Sequence, residues 1–228
     1  MVASFDLNQA TLKQLRLDIL PPTTRKAFLR CVHLPFFSSN DWYLAGGTAL
    51  ALQAGHRQSV DLDFFTSQKT FDEKGAEETL SETKDWETSS LASRTLYGKF
   101  SGAKMSLIAY PFFRPAEPFI QLGAVSILTS PDIAAMKIVA ISQRGRRRDF
   151  LDLYWLCQHR LTLLESIERT ERQYTVKQNR NHLLKSLVYF TDAEADPMPT
   201  IFFDADWPTV KNYFLTEVPR LAKKILGL

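Results

Sequence analysis

The stretch from Trp42 to Gly55 constrains this chain more than any other. Trp42, Tyr43, Leu44 and Ala45 form a short apolar run that ends at Gly46 and Gly47. From Thr48 to Gln53 the residues favour helix, with Ala49, Leu50, Ala51 and Leu52 in succession, and Gly55 stops it. Glycines at a strand-to-helix junction let the backbone turn tightly and approach a ligand. The helix then directs unpaired N–H groups and its positive dipole end back at the junction. That is an anion site suited to phosphate. Thr48 is placed to cap the helix or to donate its hydroxyl to the same phosphate.

A second element follows at once. Val60 to Phe65 alternates and is rich in β-formers, which predicts a strand. Asp61 and Asp63 lie two apart on it, so their side chains share one face. They are embedded among Val60, Leu62, Phe64 and Phe65, where unpaired charge is costly. Two carboxylates on one face repel each other unless a cation sits between them. Mg²⁺ is the natural choice, because it takes carboxylate and phosphate oxygens together and keeps several waters. Two such ions activate an attacking oxygen and neutralise a leaving pyrophosphate. Arg57, just before the strand, is placed to pair with phosphate or to stiffen the turn. Taken singly, a glycine pair is only a turn and an Asp-X-Asp only a solvated strand face. The combination favours a metal-bound triphosphate.

The rest of the chain gives the setting. A first helical part is interrupted at Pro21 and Pro22, and Thr23-Thr24 are placed to cap a second helix through Cys31. Residues 70–82 read as an acidic helix. Strands are predicted near 91–97 and 103–110, joined through Gly98 and Gly102, and near 119–128. After Pro131 the character changes: 131–142, 147–159, 161–173, 177–190 and 207–225 all read as helix, with a break at 191–206 that contains Pro197 and Pro199. The expected class is α+β, with a mixed α/β domain at 1–129 and a helical domain at 130–228. A chain of 228 residues can bury a real core, and 45% apolar with 23% charged residues is ordinary for a globular protein. A net charge of +3 permits an anionic partner without demanding one, although Arg144, Arg146, Arg147 and Arg148 are clustered.

Several classes are disfavoured. Cys31 and Cys157 have no metal-ligand spacing and make no disulfide framework, which suits a reducing compartment. His33, His159 and His182 have no spacing that suggests a metal site, and His56 sits in a turn where solvation is the plainer expectation. The opening MVASFDLNQA lacks a basic region followed by an apolar run, and no stretch approaches the roughly 18 apolar residues of a membrane span. A cytoplasmic protein with no membrane partner is expected. The aromatic stretch at 110–119, with Phe112, Phe113 and Phe119, reads as core or interface rather than as a base-stacking surface.

The run Gly46-Gly47-Thr48-Ala49-Leu50 followed by His56-Arg57-Gln58-Ser59-Val60-Asp61-Leu62-Asp63-Phe64-Phe65 resembles the AbiEii/AbiGii-type nucleotidyltransferases, of the DNA polymerase β-like nucleotidyltransferase superfamily. The likeness is close over this motif and looser over the later helices, spanning roughly residues 40–160. It implies a polymerase β-like core, a small mixed sheet with flanking helices, followed by a C-terminal helical region. It also implies Mg²⁺-dependent transfer of a nucleotide from an NTP to an acceptor, either RNA (transfer RNA included) or protein. Members include toxins of toxin–antitoxin and phage-abortive systems, so a cognate antitoxin is an implied partner. Carried onto this chain, the resemblance makes Asp61 and Asp63 the metal ligands and catalytic carboxylates. Gly46, Gly47, Thr48, Arg57 and Ser59 become the nucleotide-binding residues.

Family members also place a lysine and an acidic residue on the helices after the sheet. The matching segments run from Pro131 to Lys137 and from Arg144 to Tyr154, which makes Lys137 and Asp149 catalytic candidates. Lys137 lies four after Ile133 and four before Ile141, on an apolar stripe, so it must snorkel or point into a polar cleft. Asp149 is placed to orient Lys137 or Arg57. Asp152 is expected to pair along its own helix with Arg146 or Arg148. The arginine run is either a solvated helix start or a phosphate-binding patch. One departure stands out. Polymerase β-like enzymes often carry a third carboxylate on a later strand, and Ser106 occupies that place here. This keeps open an alternative: a degenerate nucleotidyltransferase that binds nucleotide or a partner without turnover.

Overall fold

A seven-stranded mixed sheet organises residues 1–129, one of two units into which the chain divides; residues 130–228 form the other. The structure is a computed structural model and describes residues 9–39 and 41–226. The first unit runs α1 (Gln9–Gln14), α2 (Pro22–Val32), β1 (Tyr43–Ala45), α3 (Gly46–Ala54), β2 (Leu62–Thr66), α4 (Glu73–Glu82), β3 (Trp86–Ala92), β4 (Thr95–Phe100), β5 (Ala103–Ala109), β6 (Ile120–Leu122) and β7 (Val125–Ile127). The strand order is β3-β4-β5-β2-β1-β7-β6. Two pairings are parallel, β2 with β5 and β1 with β7. The rest are antiparallel.

The two faces of this sheet differ, and alternation along the strands explains why. Leu44, Leu62, Phe64, Leu96, Met105 and Leu107 are buried. Their strand partners pack on α2, α3 and α4, and the Phe37 ring stacks on Phe64 at 4.2 Å between centroids. The alternate positions in β2, β4 and β5 carry Asp63, Phe65, Thr95, Tyr97, Ser106 and Ile108, which are half-buried or exposed. One face is therefore core and the other presents polar and aromatic groups, the pattern of a sheet covered mainly on one side.

Several local expectations need correcting. Thr23 and Thr24 do not cap α2. Pro22 takes its first position, where the missing N–H costs nothing, and the Thr24 hydroxyl instead donates to the Val60 carbonyl at 3.0 Å. The predicted strand at 91–97 spans a hairpin. β3 ends at Ala92, the chain turns through Arg94 in the left-handed region (φ 66°), and β4 begins at Thr95. Gly98 is no junction but lies inside β4, where a Cβ would come 2.4 Å from the Trp86 ring. The expected strand at 119–128 is the hairpin β6–β7, and β2 starts at Leu62 rather than Val60.

The second unit is helical: α5 (Ser130–Arg144), α6 (Arg147–His159), α7 (Leu163–Gln173), α8 (Arg180–Ser186), α9 (Thr191–Glu194) and α10 (Trp207–Leu226). Helix α5 packs on α6, α7 and α8. The Phe150 ring meets Phe190, Trp207 and Phe214 at 5.1, 5.9 and 5.5 Å. The capping box of Thr162 and Glu165 starts α7. The expected helix at 177–190 is shorter, capped by Asn179, and the short α9 falls inside the expected break at 191–206. Among the described residues no helix is long and apolar enough to cross a membrane.

Candidate functional site

β1 passes directly into α3, with Gly46 immediately following Ala45. Gly46 has φ 68°, a left-handed conformation that a side chain would strain. Ala45 lies opposite Asp63 across the β1–β2 pair, and a Cβ on Gly46 would come 3.3 Å from Asp63 Oδ2. The Asp63 carboxylate thus abuts the first residue of α3. Its other oxygen is held from the far side, where Ser106 Oγ donates to Asp63 Oδ1 at 2.7 Å. A hydroxyl donor suits an ionised carboxylate and fixes its plane.

Gly47 makes room for a cation. A Cβ there would stand 2.3 Å from Arg57 Nη2 and 3.1 Å from Ser59 Oγ, so the guanidinium lies over the first turn of α3. Arg57 is buried and donates to the Gln58 carbonyl at 2.8 Å. Burial and this bond speak for stiffening the turn. Thr48 is buried too. Its hydroxyl lies 2.9 Å from that of Ser59 and donates to the Asp61 carbonyl oxygen. It ties α3 to the segment entering β2 and makes no helix cap. Gln53 anchors the other end of α3 by donating to the Leu128 carbonyl at 2.8 Å. His56, expected in solvent, is buried. Gly47→Ala should therefore displace Arg57 and cost about 1–3 kcal/mol of stability, read as a lower urea midpoint. An unchanged midpoint would contradict this packing.

The donor set can be compared with Mg²⁺. Among the described residues no group of three His, Cys, Asp or Glu could hold a metal. Asp61 and Asp63 are both half-buried at the mouth of β2. One or two carboxylates completed by phosphate oxygens and water is how Mg²⁺ commonly binds with nucleotides. The residues present fit an ion that arrives with a triphosphate, rather than one caged by protein alone.

The second unit holds an ionic cluster. Lys137 Nζ on α5 lies 2.7 Å from Asp149 Oδ1 and 2.6 Å from Asp152 Oδ2, both on α6. Arg144 Nε adds a bond to Asp149 Oδ2 at 2.9 Å. Lys137 and both aspartates are buried. Burial works to raise the Asp149 carboxyl, but the charges and hydrogen bonds of Lys137 and Arg144 outweigh it and hold the group below the usual carboxylate range. Asp152, expected to pair along its own helix, also meets Lys137, a contact that sequence reasoning did not foresee. The available signal was two acids one turn apart beside a lysine on an apolar stripe. The arginine run is largely occupied by its own unit. Arg146 Nη1 meets Asp196 Oδ1 at 2.7 Å, and Arg147 donates to the Ala193 carbonyl at 3.0 Å and stacks over Trp207.

Comparison with known proteins identifies the family. A profile of the family described as nucleotidyl transferase AbiEii toxin, type IV toxin–antitoxin system, matches residues 28–114 and 104–224. An uncharacterized protein of Aquifex aeolicus is 35% identical over 182 residues, covering 78% of this chain and 87% of its own. Two solved structures share the fold, each with a TM-score of 0.50. One is MenT4, a nucleotidyltransferase toxin of Mycobacterium tuberculosis, at 15% identity over 94% of this chain and 93% of that one. The other is a nucleotidyltransferase candidate from H. pylori, at 17% identity over 97% and 98%. With its glycine turn, its carboxylates and its mixed sheet followed by helices, the chain belongs to the AbiEii nucleotidyltransferase toxin family.

Proposed function

We propose that the chain transfers a nucleotide from an NTP to an RNA or protein acceptor, with Mg²⁺, at the end of β2. The observation that carries this reading is the Asp63 carboxylate, clamped by Ser106 and set against the N-terminus of α3. The triphosphate would lie at that helix end, where free N–H groups and the helix dipole favour anions. Gly46 lets it approach beside Asp63, Gly47 admits the Arg57 guanidinium to the same helix turn, and Thr48 and Ser59 hold that turn. Bound Mg²⁺ would draw charge off the phosphates and the leaving pyrophosphate. The acceptor oxygen forms a bond to the α-phosphorus as the bond to pyrophosphate breaks. The protein mainly positions and screens charge in such transfers. Within the second unit, Lys137 and Asp149 are proposed as catalytic residues on the family resemblance of their segments, with Asp149 and Asp152 orienting the lysine.

Type IV membership supports an antitoxin as partner and a toxic outcome of transfer. A second reading, nucleotide binding without turnover, is favoured by Ser106 in place of a third carboxylate. The test is incubation with each labelled NTP, Mg²⁺ and a panel of RNAs and proteins. Label should move with the wild type and not with Asp61→Ala. Equal absence of product in both, with NTP bound in calorimetry, would favour the second reading.

A further inference from the structure

We propose that Tyr97 is the stacking platform for the base of the incoming nucleoside triphosphate. This rests on the reading of Asp63 and α3 as the triphosphate site. The register carries the argument. Tyr97 pairs with Ser106 across β4–β5, and Ser106 pairs with Asp63 across β5–β2. Residues directly opposite point to one face, and the Ser106–Asp63 hydrogen bond fixes which face that is. Tyr97, Ser106 and Asp63 therefore form one row across three adjacent strands. At about 4.8 Å per strand, Tyr97 stands roughly 10 Å from Asp63 along the sheet. That is the scale of a nucleotide laid with its phosphates at Asp63.

Its surroundings suit such a ligand. Tyr97 is 40% exposed, while its chain neighbours Leu96 and Gly98 belong to the buried core face, Gly98 against the Trp86 ring. In the row on one side, Thr95, Ile108 and Phe65 align and offer apolar surface. In the row on the other side, Lys99 and Lys104 face each other directly across β4–β5, both exposed. Like charges placed opposite destabilise a sheet, although Glu87 opposes Lys99 from β3. An anionic ligand on this face relieves that repulsion. Every base has a π-face, so stacking supplies affinity without choosing among bases.

The experiment is calorimetric titration of the full chain, with Mg²⁺, by each of the four NTPs and by inorganic tripolyphosphate, which has no base. Tyr97→Ala should weaken all four NTPs by about tenfold, equivalent to about 1.4 kcal/mol, and leave tripolyphosphate unchanged. Tyr97→Phe should bind like the wild type. NTP binding by Tyr97→Ala equal to wild type overturns the inference alone. So does an equal loss for tripolyphosphate, which marks a structural role. Failure of the wild type to bind any NTP overturns both this inference and the functional reading beneath it.

Discussion

Replacing Lys137 with methionine should lower the free energy of unfolding by about 3–5 kcal/mol, measured by urea denaturation. The substitution keeps most of the volume and the apolar stem but deletes the ammonium. Asp149 and Asp152, with fully buried side chains, then lose their common partner. Arg144 remains on Asp149, so Asp152 bears most of the loss. Adding Asp152→Asn to Lys137→Met should recover part of the stability, because it removes a buried negative charge that has lost the Lys137 ammonium. No recovery would show that the cost lies in packing. Acid should expose the same cluster. The Asp149 carboxyl is held below its usual range, so its contribution is fully present above the ordinary unfolded value of about 3.9 and is lost as pH falls through the folded value. The urea midpoint should hold from neutrality to about pH 5 and fall in more acid solution. Asp149→Asn should flatten that fall.

The other large effect is on chemistry. Asp63→Asn should reduce nucleotide transfer by about a thousandfold or more, a loss of roughly 4 kcal/mol in transition-state stabilisation. Asparagine keeps the shape and can still accept from Ser106, so the sheet should stay intact and the urea midpoint should move little. What disappears is the negative charge that draws the cation to the helix end. A variant that transfers at the wild-type rate would remove Asp63 from the reaction. A variant that unfolds would instead make it a structural residue.

How much of this could be read from residues alone follows from where each signal is local. The β1–α3 turn was legible because two glycines separate an apolar run from a helix-forming one, and Gly55 marks the end. β2 was legible from its β-forming residues and from Asp63 set between Leu62 and Phe64, although Asp61, read as part of the strand, lies just before it. The β3–β4 hairpin was not, because it turns on Arg94 in a left-handed conformation with no glycine or asparagine to announce it. Thr48 and Ser59 read as ligand groups, yet they bond to each other across an eleven-residue separation that spacing cannot reveal. Asp152 looked committed to its own helix, and only the packing of α5 on α6 gives it to Lys137. Tyr97 carried no signal at all until pairing set it in a row with Asp63.

The most direct test of the metal-triphosphate site is a crystal of the chain grown with Mn²⁺ and a non-hydrolysable NTP analogue, examined at the manganese absorption edge. Anomalous density against the Asp61 and Asp63 carboxylates, with phosphates reaching the first turn of α3 at Gly46 and Gly47, is the expected result. An analogue bound elsewhere in the chain, with no manganese at these aspartates, would contradict it.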